Sequence, residues 1–173
     1  VPQRLQVAYA SPDASLIAYT SMEGDEGDPA VCISRDGGES FFPKMLPVTS
    51  LGYAASGVTF TSATDGIAWW ASRLSPDETY VVRTTDAGET WTAATLPESL
   101  DDIGIELNGA FFAPDGEHGW IVGFDYDHSI ALMLRTTDGG ATWDDASGDL
   151  AANGAALERQ TPNAMNRFDD DPT

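Results

Sequence analysis

Three observations predict an all-β chain built from repeated four-stranded antiparallel units. An octapeptide recurs three times at a spacing near fifty residues, short runs rich in Val, Thr, Phe, Tyr and Trp alternate with Gly, Pro, Asp and Ser clusters, and no segment sustains a 3.6-residue period. The octapeptide, called the box below, reads Ser34-Arg35-Asp36-Gly37-Gly38-Glu39-Ser40-Phe41, then Thr84-Thr85-Asp86-Ala87-Gly88-Glu89-Thr90-Trp91, then Thr136-Thr137-Asp138-Gly139-Gly140-Ala141-Thr142-Trp143. Its aspartates lie 50 and 52 residues apart, and Tyr9, Phe60 and Phe112 precede them by 27, 26 and 26 residues. Gly66 and Gly119 keep step as well, and Leu46-Pro47 and Leu96-Pro97 follow the first two boxes at one offset.

Each unit resolves into four short strands. The first gives Gln6 to Ala10, Leu16 to Thr20, Ala30 to Ser34 and Ser40 to Phe42; the second Gly57 to Thr61, Ile67 to Ser72, Tyr80 to Thr84 and Thr90 to Ala93. The third gives Gly109 to Ala113, Gly119 to Phe124, Ala131 to Thr136 and Thr142 to Asp144. Antiparallel units of this size are β-propeller blades, so the expected organisation is three blades, about 1–50, 51–99 and 100–150, followed by a tail over 151–173 that is a docking arm or disordered.

The box explains itself as a hairpin between the third and fourth strands. An aspartate accepts hydrogen bonds from backbone N–H groups two or three residues on, and a glycine two positions later takes a positive φ without steric cost. The Ser or Thr hydroxyls tie the turn to nearby backbone, and the closing aromatic ring drops between sheets. On this reading Asp36, Gly38, Phe41, Asp86, Gly88, Trp91, Asp138, Gly140 and Trp143 build the turn, and no catalytic residue is assigned.

With these motifs the chain resembles the Asp-box, or bacterial neuraminidase repeat, β-propellers, a family that includes sialidases, sortilin-type receptor domains, xyloglucan hydrolases and photosystem II assembly-factor propellers. The assembly-factor flavour is carried by Phe112 and Gly119-Trp120-Ile121-Val122-Gly123 leading into Leu134-Arg135-Thr136-Thr137-Asp138-Gly139-Gly140-Ala141-Thr142-Trp143. The resemblance covers residues 5 to about 150 and implies Asp-box hairpins at the outer edge of each blade, with structural aspartates. It is specific for fold and transfers no particular activity.

Composition narrows the chemistry. The chain has 173 residues, 42% of them apolar, enough for one globular core. Its 28 acids against 8 Lys and Arg give a formal charge of -20, and Lys44 is the sole lysine, so a phosphate-tracking stripe cannot be assembled and nucleic acid is excluded as a partner. No apolar run is long enough for a membrane helix, and the chain opens at Val1-Pro2 without a leader, which reads as processed or excerpted. Cys32 alone makes no internal disulfide.

Sialidase chemistry needs three convergent arginines, but Arg35, Arg83 and Arg135 adjoin boxes and are expected to point outward, and the Arg-Ile-Pro signature of that branch of the family is missing. A glycosidase pair cannot be chosen among so many acids. His118 and His128 have no zinc-ligand spacing. Alternating oxygens on glycine-containing or acidic loops suit Ca²⁺, which marks Asp25, Asp28, Asp125 and Asp127 as candidate ligands against the plainer reading of solvated loops. Trp69 and Trp70 alternate in facing, so one is expected between blades and the other outward as an interface anchor, with Met165 of the tail as another.

Three blades leave two open flanks, so a second copy, a protein partner or further blades are expected to close the array. The function read from the sequence is a non-catalytic protein-binding or assembly module in an extracytoplasmic setting. The alternative is a secreted glycan-binding or glycoside-hydrolase-type propeller.

Overall fold

The computed structural model describes residues 6–11, 15–23, 28–47, 55–71, 80–100, 105–125 and 130–148. They form three four-stranded antiparallel sheets, each with its strands in sequence order. Sheet 1 holds β1 (Gln6–Ala10), β2 (Ile17–Glu23), β3 (Asp28–Ser34) and β4 (Phe42–Met45). Sheet 2 holds β5 (Ala55–Phe60), β6 (Gly66–Ala71), β7 (Tyr80–Thr84) and β8 (Thr92–Ala93). Sheet 3 holds β9 (Ile105–Phe112), β10 (Gly119–Asp125), β11 (Ile130–Thr136) and β12 (Asp144–Asp145).

The sheets stack with their first strands side by side, β1 against β5 and β5 against β9. Sheet 2 is the middle layer and is apolar on both faces. Val58, Phe60, Ala68, Trp70, Val82 and Trp91 join Ala18, Val31 and Ile33 of sheet 1 in one core. Ile67, Trp69 and Val81 join Ile105, Leu107, Ile121, Leu132, Leu134 and Trp143 of sheet 3 in a second. The alternation along Ile67-Ala68-Trp69-Trp70 therefore sends successive side chains into different cores, as a strand covered on both faces requires.

That arrangement corrects one expectation. Trp69 and Trp70 are both buried, at 3% and 1% exposure, and neither is an outward anchor. Strand boundaries shift as well. The fourth strands start later than expected because Ser40, Thr90 and Thr142 are held by the box aspartates and belong to the turns. Conversely, β9 begins at Ile105, since Ile105 and Leu107 pair with Asp125 and Gly123 of β10 around a bulge.

Candidate functional site

The three boxes fold into one repeated network. Ser34, Thr84 and Thr136 end their strands with buried hydroxyls that donate to Asp36, Asp86 and Asp138 Oδ1 at 2.7, 2.8 and 2.8 Å. The same hydroxyl oxygens accept from the N–H of Gly38, Gly88 and Gly140 at 2.9, 2.8 and 2.9 Å. The aspartates in turn accept the backbone N–H of Ser40, Thr90 and Thr142 on Oδ1 and their hydroxyls on Oδ2. The capture thus reaches four residues on, one or two farther than the simple Asx turn. Two consecutive positive-φ residues make the bend: Gly37 and Gly38, Ala87 and Gly88, Gly139 and Gly140.

The rings that close the second and third boxes are part of the cores, whereas Phe41 of the first box does not drop between sheets and lies partly exposed on the outer side of sheet 1. Trp91 stands edge-on to Phe60 and Trp143 edge-on to Phe112, each at 6.2 Å between centroids. Phe41 meets Tyr19 of β2 at 5.1 Å. Trp143 donates its Nε1–H to Gly140 O at 3.1 Å, whereas the buried Trp91 Nε1 has no partner among the described residues.

Hydrogen bonding to the charged form sets the acidity of these groups. The Thr90 hydroxyl and N–H lower Asp86 to about 2. Burial pushes Asp138 upward, but the Thr142 N–H and hydroxyl and the Thr136 hydroxyl outweigh it and leave it at about 2. Asp36 is lowered in the same way by the Ser40 hydroxyl and N–H and by Ser34. Because the folded values lie below the ordinary 3.8, these groups stabilise the fold above that pH, and the contribution is lost as pH falls from 3.8 through about 2. In urea titrations the unfolding midpoint of the chain is expected to drop between about pH 4 and about pH 2. The double variant Asp86→Asn, Asp138→Asn should be less stable at neutral pH and show a shallower drop; a slope equal to that of the parent chain would disprove the assignment.

Between the first two boxes lies a cleft of about 260 Å³ lined by Arg35, Asp36, Phe42, Lys44 and Glu89 among others. Arg35 donates from Nη2 to Ala87 O at 2.8 Å and to Glu89 Oε1 at 2.9 Å, and Lys44 reaches Glu89 Oε2 at 2.6 Å. The Lys44 ammonium and the Arg35 guanidinium hold Glu89 below the ordinary carboxylate range. A general acid at neutral pH requires the opposite shift, so this cleft holds ionised, mutually satisfied groups. The pairs are surface pairs that tie sheet 1 to the second box with little stability each.

Of the arginines expected to point outward, Arg83 does not. It lies at the junction of sheets 2 and 3, where a Cβ on Gly139 would meet its Nη2 at 3.4 Å, with Asp65 at 3.6 Å and its Nε buried without a partner among the described residues. Arg135 is exposed on the far side of sheet 3. Among the candidate Ca²⁺ ligands, Asp25 and Asp127 lie outside the described residues, as does Met165, and only the backbone of Asp28 is described, at the start of β3. Asp125 is not a loop residue: it ends β10, paired with Ile105 and Ile130, and is 4% exposed on the face turned toward sheet 2. No group of three potential ligands occurs among the described residues.

The remaining feature is the pair of outer sheet faces. On sheet 3, the row Phe111, Trp120, Arg135 and the next row Gly109, Val122, Met133 face away from sheet 2. Phe111 is 62% exposed, and Trp120, Val122 and Met133 are partly exposed. On the outer side of sheet 1, Met45 is 52% exposed and Ile17 and Phe41 are partly exposed. Exposed Phe111 and Met45 were not singled out in the sequence; the alternation of β9 and β4 relative to the buried rows is the signal that marks them.

No family model matches the chain, and no curated protein does. Among solved structures the chain is similar to the GH74 xyloglucanase from Xanthomonas campestris, at 11% identity and a TM-score of 0.27. The match covers 82% of this chain and 38% of that one, so the chain spans well under half the length of that neighbour.

Proposed function

We propose that the chain is an array of three Asp-box β-propeller blades, about 1–50, 51–99 and 100–150, acting as a non-catalytic protein-binding or assembly module in an extracytoplasmic setting. In this reading the box residues are structural, and residues 151–173 are a docking arm or a disordered tail. The observation that carries it is the pair of apolar outer faces, above all Phe111 at 62% and Met45 at 52% exposure; Phe42 and Ile130, comparably exposed, lie at strand ends of the faces turned toward sheet 2. Support for the non-catalytic part comes from the boxes and the cleft, whose carboxylates are each held by neighbouring hydrogen-bond donors. The charge of -20 keeps such a surface soluble and favours cationic partners.

The test replaces Phe111 by a photo-crosslinking benzoylphenylalanine in the native host, with the same residue at the exposed box position Thr137 as the control. Covalent adducts to polypeptide are expected from position 111 and not from 137. Adducts to polysaccharide alone, or release of reducing ends from a glucan by the purified chain, would replace this reading with the glycan-active one.

A further inference from the structure

The repeat supplies an internal template for what the outer face of sheet 3 accepts. Counted from the box aspartates and through the strand pairing, Ile67, Trp69, Val81 and Arg83 of sheet 2 correspond to Trp120, Val122, Met133 and Arg135 of sheet 3. In sheet 2, Ile67, Trp69 and Val81 are at most 3% exposed because another sheet packs on them. Phe111 occupies the place of Thr59 in the strand alongside. Sheet 3 thus repeats, in register, a face that this fold is seen to use for taking a further sheet, with larger side chains at three of the places (Phe111 for Thr59, Trp120 for Ile67, Met133 for Val81) and a smaller one at the fourth (Val122 for Trp69).

The complementary face is also present in the chain. The side of sheet 2 that packs on sheet 1 carries Val82 and Trp91. The corresponding side of sheet 1 carries Cys32 and Phe41, with Ile17 where sheet 2 has Gly66, and Met45 beyond them. Cys32 and Ala30 stand where sheet 2 has Val82 and Tyr80 and are 3% and 0% exposed, so the accessible part of this face is the rim formed by Ile17, Phe41 and Met45.

Resting on the protein-binding reading above, we infer that the occupant is a second copy of the same chain. Sheet 3 of each copy packs on sheet 1 of the other, giving two identical head-to-tail junctions and a closed two-fold ring of six sheets. A head-to-tail contact ends growth only if its rotation closes, and two copies use both open faces at once. Six blades fall within the range of closed radial β arrays. Two chains of charge -20 repel one another, so association tightens as salt screens them.

Light scattering on the full chain, from about 0.05 to about 1 M salt, reads the result. The expected particle has twice the 18.4 kDa chain mass, with a two-chain fraction that rises with salt. Phe111→Glu and Met45→Glu, both at exposed positions, should each give one-chain particles with unchanged circular dichroism and cooperative melting. Mixing the two variants should restore two-chain particles, because the heterodimer keeps one intact junction. A one-chain mass for the parent at every salt, particles that grow with concentration, or a dimer indifferent to either variant would overturn the inference. Polypeptide adducts at position 111 alongside a one-chain mass would leave the protein-binding reading standing with a different partner.

Discussion

Trp69→Ala and Trp70→Ala are each expected to lower unfolding stability by about 3–5 kcal/mol, the range for removing a large buried aromatic side chain. The two rings are adjacent in β6 yet belong to separate cores, Trp70 with sheet 1 and Trp69 with sheet 3. Trp69 also lies over the bare backbone of its strand partner Gly57, where an added Cβ would fall 2.1 Å from its Cζ2. A cavity left there has no side chain on Gly57 to collapse into it, which places Trp69→Ala toward the upper end of the range. Urea unfolding of both single variants measures the effect. A loss under about 1 kcal/mol for either one would mean that its ring is solvent-facing and that sheet 2 is covered on one side only.

The tryptophan pair also shows where sequence reasoning stops. A period of two assigns adjacent residues to opposite faces but is silent on what covers each face, and a middle sheet covers both. The boxes were legible because their hydrogen bonds close within four residues, so the spacing of hydroxyl, aspartate and glycine carries the whole turn; Thr84, Asp86, Gly88 and Thr90 need no distant partner to form it. The cluster of Arg35, Lys44 and Glu89 was not legible. Lys44 and Arg35 are 45 and 54 residues from Glu89, and only the stacking of sheet 2 on sheet 1 brings them together. Arg83 was not legible for the same reason, since it lies beside Gly139 of the neighbouring sheet, and Asp125 was missed because β10 runs on to pair with Ile105 where a loop was expected. The outer faces fall between these cases, since strand alternation marks Phe111 and Met45 once the packed rows are known.

Gly140→Ala is expected to cost about 3 kcal/mol, combining a positive-φ penalty with overpacking. Gly140 has φ +89°, and an added Cβ would lie 2.8 Å from Ile67 Cγ2, across the junction of sheets 2 and 3. The change would also strain a residue whose N–H is held by Thr136 and whose carbonyl accepts from Trp143. The first turn position separates the two causes. Gly37 has φ +75° with nothing within 4 Å of an added Cβ, so Gly37→Ala should cost only the backbone part, about 1 kcal/mol. The second box already carries alanine at that position, Ala87 at φ 59°, and Ala87→Gly is expected to stabilise by about 0.5 kcal/mol once the greater freedom of the unfolded chain is counted. The first and second boxes therefore have room for a side chain at the first bend residue, whereas the second bend residue is closed by Ile33 at Gly88 and by Ile67 at Gly140, both of the preceding sheets. Equal losses for Gly140→Ala and Gly37→Ala in chemical denaturation would show that φ alone keeps glycine there, and that the turn is not pressed against the neighbouring sheet.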